Sequence, residues 1–235
     1  MSIINKLKIF FVAAALSTPA LSAEAVSIRV MDGGIPLGDY HSMVEDGLRL
    51  GSTELLREAW THYEDAIKFD KDQEFATTSY LELGRIYFYL SLLGNATNED
   101  YAKVEGYAKE ALYAYPDDSN VHEALGLIFA GKGSYMDAFE ELSLALNLNP
   151  ANEMVLCDMA SLHLALHEPD KTIEDLEKTS ESNGWRQIIL AMAYSQKEQL
   201  GRAYLALLRA EKLGYKGYWV DSMRKSLTEK LKIVR

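Results

Sequence analysis

The sequence predicts an all-α fold of about five helix-turn-helix repeats closed by a C-terminal capping helix, on three observations. Small residues recur at one spacing: Gly47 and Ala59, Gly126 and Ala138, and Ala191 and Ala203 all stand 12 apart, and Ala66, Ala145 and Ala210 follow them. Pro116 and Pro150 lie 34 residues apart, each at the end of a helical pattern that proline cannot continue, since it lacks an amide hydrogen and clashes with the preceding turn. Apolar residues between these marks return at three- and four-residue intervals, as helices with one buried face require. A period in the thirties signals units that cannot bury their apolar faces alone and do so by stacking.

The first 23 residues stand outside that pattern. Lys6 and Lys8 precede the apolar run Ile9 to Leu16, and a small-residue stretch ends Ala23-Glu24-Ala25. This is the layout of a secretory signal peptide cleaved after Ala23 or Ala25. The run falls short of the roughly 20 apolar residues that span a bilayer. Residue 24 is glutamate, so the cysteine needed for a lipid anchor is missing. An exported, periplasmic chain with no integral membrane segment is expected. The whole chain carries a net charge of -11, and loss of residues 1–23 removes two lysines and no acid, giving -13. Such a surface repels nucleic acid and anionic lipid and favours a basic or neutral partner. The single cysteine, Cys157, excludes an intramolecular disulfide, so the fold must stand on packing.

Residues 24–39, with the alternating stretch Val26 to Met31 and then Asp32-Gly33-Gly34, read as an extended or mobile arm. Repeats follow over 40–73, 77–118, 119–152, 153–183 and 184–217. The third is the clearest, with helices expected over Val121 to Ala130 and Tyr135 to Asn147. In the second, glycine and proline are 32 apart instead of 24, and the eight extra residues are assigned to a loop, Ser91 to Asp100. The fourth is short, lacks the closing proline and has His163 where the second, third and fifth have an aromatic residue. Residues 218–235 form the cap, with Trp219, Met223, Leu227 and Leu231 at four-residue intervals on one face.

The motifs Leu83-Gly84-x-x-Tyr87, Leu125-Gly126-x-x-Phe129 and Leu190-Ala191-x-x-Tyr194, each followed by alanines, resemble the tetratricopeptide repeat, and the resemblance covers residues 40–217. It implies a right-handed superhelical solenoid in which the first helix of each pair lines a concave protein-binding groove. Carried across by position, it places Glu45, Leu81, Glu82, Arg85, Phe88 and Tyr89 there. Glu123, Leu127, Met154 and Asp158 follow, then Trp185, Ile189 and Met192. That mixture suits a peptide or protein segment with apolar anchors and some basic residues, and Phe88, Tyr89 and Trp185 are the expected anchors. The basic groove positions with which relatives clamp acidic C-terminal peptides hold Val44, Leu48, Glu82, Asn120 and Ala124 here, so that mode is not expected.

No chemistry competes with this reading. His163 and His167 share a helix face but have no third histidine nearby, so no metal site is expected. Gly131-Lys132-Gly133-Ser134 lacks the upstream strand and glycine of a phosphate loop and reads as a turn. Metalloprotease and serine-hydrolase motifs are missing from the sequence. The expectation is a non-enzymatic, cofactor-free scaffold or assembly adaptor for a cell-envelope machine such as a pilus, secretion or outer-membrane assembly system. The alternative is an accessory subunit of an exported enzyme such as a zinc protease, because the stretch from Ala193 to Gly214 resembles repeat tails of such enzymes. A third reading is self-association through the concave face or the Val26 to Met31 arm.

Overall fold

The computed structural model describes residues 37–69 and 73–231; the expected leader and nearly all of the arm lie outside them. Among the described residues every regular element is an α-helix, as expected. They are α1 (Leu37–Leu50), α2 (Thr53–Phe69), α3 (Gln73–Leu92), α4 (Asn98–Ala114), α5 (Ser119–Lys132) and α6 (Tyr135–Leu148). There follow α7 (Glu153–Ala165), α8 (Pro169–Leu176), α9 (Gly184–Gln196), α10 (Leu200–Lys212) and α11 (Tyr218–Lys230). They fall into two compact units, divided between Pro150 and Ala151.

In the unit ending at Pro150, α1 packs on α2, α3 on α4 and α5 on α6, and α3 also packs against both α2 and α5. The recurrent small residues do what their spacing predicts. Ala59, Tyr63 and Ala66 of α2 and Ala138, Leu142 and Ala145 of α6 are buried against their partner helices. A Cβ at Gly126 would lie 2.7 Å from the side chain of Leu142, so glycine sets how closely α5 approaches α6. A Cβ at Gly84 would lie 3.0 Å from the Ala124 carbonyl oxygen, so glycine also sets the approach of α3 to α5.

The second hairpin differs from expectation at its turn. Of its eight extra residues, two extend the end of α3, three lengthen α4 to 17 residues against 14, and three enlarge the connection, which is residues 93–97 against 133–134 in the third hairpin. Thr97 and Asp100 form a capping box: the Asp100 amide donates to Thr97 Oγ1 at 3.1 Å, and the Thr97 amide donates to Asp100 Oδ2 at 2.8 Å. Arg57 of α2 grips the same place, donating to both Asp100 carboxylate oxygens at 3.0 Å and to the Asn95 carbonyl at 2.8 Å.

The unit beginning at Ala151 opens with Asn152, whose side chain accepts from the amides of Met154 and Val155 and so caps α7. Pro169 starts α8, which runs only 8 residues. Leu164 and Leu176 of this short hairpin share a core with Ile189, Ala191, Ala203, Leu207 and Ala210. The terminal helix α11 buries Val220 and Leu227 and leaves Asp221, Lys225 and Lys230 exposed, the two-sided character a capping helix needs.

Candidate functional site

Glu82 and Arg85 are three residues apart on α3 and therefore share a face. Arg85 Nη1 donates to Glu82 Oε1 at 2.8 Å, and Nη2 donates to Glu123 Oε1 on α5 at 2.6 Å. His41 approaches from α1, with Nδ1 3.5 Å from Glu82 Oε1 and Nε2 3.5 Å from Glu45 Oε1. Three successive first helices thus contribute to one cluster. It lies deep in the protein: Glu82 is 3%, Arg85 7% and Glu123 1% exposed.

Burial alone would favour the neutral form of each group, but the partners outweigh it. The carboxylates of Glu82 and Glu123 hold the Arg85 guanidinium above even its ordinary range. Burial works to raise Glu82, yet Arg85 and His41 bring it below its usual carboxylate value. Burial works to lower His41, yet hydrogen bonding and attraction to Glu45 and Glu82 raise it from 6.5 to about 9. Arg85 thus lies between Glu82 and Glu123, and His41 between Glu82 and Glu45. Glu82 Oε2 is buried with no hydrogen-bond partner among the described residues. A buried carboxylate oxygen with an open hydrogen-bonding position is chemistry that suits a lysine or arginine from another molecule.

The remaining groove candidates are also placed. Leu81, Phe88, Tyr89 and Leu127 are buried, Phe88 and Tyr89 at 1% and 2% exposure, whereas Glu45 is half-buried. Residues 81–90 are in fact buried around the whole circumference of α3. In the other unit Met154, Ile189 and Met192 belong to the apolar core, and Asp158 is buried on α7 beside it. Trp185 lies in the first turn of α9, its side chain outside the described ones. In this state none of the described candidates except Glu45 is presented to solvent. The structure joins Glu45 to Glu82 through His41 and Glu82 to Glu123 through Arg85, contacts between helices that sequence position does not reveal. The Glu82-x-x-Arg85 and His41-x-x-x-Glu45 pairs are the cluster's local signals.

Elsewhere, His163 Nδ1 lies 2.7 Å from Asp175 Oδ2 and ties α7 to α8. His167 occupies a left-handed turn with φ 61°. Among the described residues no group of three or more ligating side chains could hold a metal ion. Cys157 is fully buried, and burial, with Asp158 and Glu153 nearby, pushes its thiol far above the ordinary range. No helix among the described residues is long and apolar enough to cross a membrane.

No family model and no curated protein matches the chain. Among solved structures it is similar to a tetratricopeptide repeat protein from Parabacteroides merdae, with TM-score 0.54 and 14% identity over 82% of this chain and 92% of that one. It also aligns with yeast Tom70 at TM-score 0.49 and 15% identity, covering 97% of this chain and 54% of Tom70. The first likeness shows the fold: a tetratricopeptide-type assembly of helical hairpins.

Proposed function

We propose that the chain is an exported, non-enzymatic scaffold or assembly adaptor that binds protein segments along the first helices of its hairpins. Stacked helical repeats offer extended surfaces of the kind such proteins use. The observation that carries the reading is the buried cluster of Glu82, Arg85 and Glu123, with one Glu82 oxygen unpartnered. Buried ion pairs add little stability over apolar side chains of the same volume, so recognition is the better reason for them here. The long 3.5 Å contacts of His41 make it the displaceable member. A lysine or arginine of the partner takes its place beside Glu82 and Glu45, while neighbouring apolar anchors enter as α1 yields.

Paired fluorescent peptides test this, identical in their apolar residues but carrying either lysines or glutamates. Anisotropy is expected to show binding of the basic peptide alone, weakened about tenfold by Glu82→Gln. Equal binding of both peptides, or no effect of the substitution, rejects the site. Export is tested separately by the mass of the periplasmic product, expected to begin at Glu24 or Val26; an uncleaved cytoplasmic chain rejects it. Among exported functions, an envelope machine such as a pilus, secretion or outer-membrane assembly system fits by analogy with exported repeat proteins of similar size.

A further inference from the structure

The second helices of the third and fifth hairpins, α6 and α10, are alike on their buried side and opposite on their outer side. Ala138, Leu142 and Ala145 of α6 correspond to Ala203, Leu207 and Ala210 of α10, and all six are at most 1% exposed. Facing outward on α6 are Met136, Asp137, Glu140, Leu144 and Leu148. The helix contains no lysine or arginine. Facing outward on α10 are Arg202, Leu205, Leu208, Arg209 and Lys212. Its one acid, Glu211, is engaged by Arg224. At matching positions Asp137 stands against Arg202, Glu140 against Leu205, and Leu144 against Arg209.

Both faces are open and both are apolar as well as charged. Met136, Leu144 and Leu148 are 77%, 41% and 43% exposed, and Leu205 and Leu208 are 57% and 40% exposed. Asp137, Glu140, Arg209 and Lys212 form no ion pair among the described residues, although many other surface charges do. Three exposed cations with no exposed acid on one helix are unusual in a chain of net charge -11.

We propose that these two faces bind each other between copies, α10 of one molecule docking on α6 of the next. The leucines and the methionine supply the apolar contact, and Arg202, Arg209 and Lys212 meet Asp137 and Glu140. Because the two surfaces differ, the contact is head-to-tail, and it continues into a ring or an open chain according to the rotation between neighbours. One pair of helices covers less than the roughly 1,200 Å² typical of a stable interface, so the association is weak and builds with concentration. A basic face with leucines also suits an anionic membrane surface. The acidic apolar face of α6 favours a second copy instead, because it supplies what α10 lacks.

Sedimentation velocity of the full chain at low salt tests the proposal, and the average mass is expected to rise from about 10 μM to about 1 mM protein. Raising salt to about 0.5 M is expected to weaken the association. The variants Arg202→Glu/Arg209→Glu and Asp137→Lys/Glu140→Lys are each expected to associate about a hundredfold more weakly, since both faces then carry the same sign. Mixed in equal amounts they are expected to associate again, because each supplies the face that the other has lost. All four positions are exposed, and circular dichroism checks that both variants fold. A wild-type chain that stays monomeric, variants that associate like wild type, or a mixture that fails to recover overturns the proposal. So does binding to phosphatidylserine vesicles that needs Arg202 and Arg209 in a chain showing no self-association, which assigns the α10 face to lipid.

Discussion

Position for position, the first helices of the second and fifth hairpins hold opposite chemistry in the same register. Glu82 and Arg85 flank Gly84 at the places where Ile189 and Met192 flank Ala191, and Glu123, in the third hairpin, corresponds to Ile188. All six side chains are buried. One line is closed by a guanidinium between two carboxylates, the other by aliphatic packing. A helical hairpin therefore accepts either filling. They fail differently: an apolar side chain removed leaves a cavity, whereas a charge removed leaves its partners buried without compensation.

The largest effect is expected at the centre of the charged line. Arg85→Ala removes the guanidinium from between the buried Glu82 and Glu123 carboxylates and should cost about 3–5 kcal/mol in urea unfolding of the full chain. The triple change Glu82→Ile/Arg85→Met/Glu123→Ile, which imports the fifth hairpin's residues, should instead lie within about 1 kcal/mol of wild type or above it. If the triple variant is as unstable as Arg85→Ala, the two lines are not interchangeable. On the apolar side Ile189→Ala should cost about 2–5 kcal/mol by leaving a cavity, and a smaller loss would mean that the core there can collapse around the gap.

A weaker distinction is expected from pH. His41 gains its partners on folding and is raised from 6.5 to about 9, so its contribution is complete below about pH 6.5 and disappears as pH rises through about 9. Its side chain is one quarter exposed, so solvent screening limits the loss to about 2 kcal/mol. Melting temperatures between those limits should fall further in wild type than in His41→Gln, and parallel curves would remove His41 from the linkage. The smallest effect belongs to the apolar line: Cys157, buried with its thiol held protonated, should react with a thiol reagent only as fast as the chain opens. Prompt stoichiometric labelling of native protein would contradict that burial.

The repeat spacing was legible because small residues at Gly126, Ala138 and Ala145 are a direct requirement of close helix approach, and the third hairpin came within two residues of its observed limits. The second hairpin's turn is longer than the third's but shorter than the expected Ser91 to Asp100, running over 93–97. Thr97-x-x-Asp100 is a capping-box pattern and marks the start of α4 at Asn98, while nothing between Ser91 and Leu92 breaks α3. The candidate site was legible as a register and not as an environment. A helix buried on all sides, as α3 is over residues 81–90, carries no amphipathic period to betray its depth. Nor could spacing show that Arg85 reaches Glu123, 38 residues away, since that contact depends on how closely Gly84 lets α3 approach α5.

Arg57 matters in time as well as in strength. Its partners Asn95 and Asp100 lie 38 and 43 residues further along the chain, so the fork can close only after both hairpins exist. A contact of that span is expected to form late, so Arg57→Ala should speed unfolding in stopped-flow measurements more than it slows refolding. On that expectation Arg57 is a latch on the lengthened second hairpin, prolonging the life of what has assembled more than it hastens assembly.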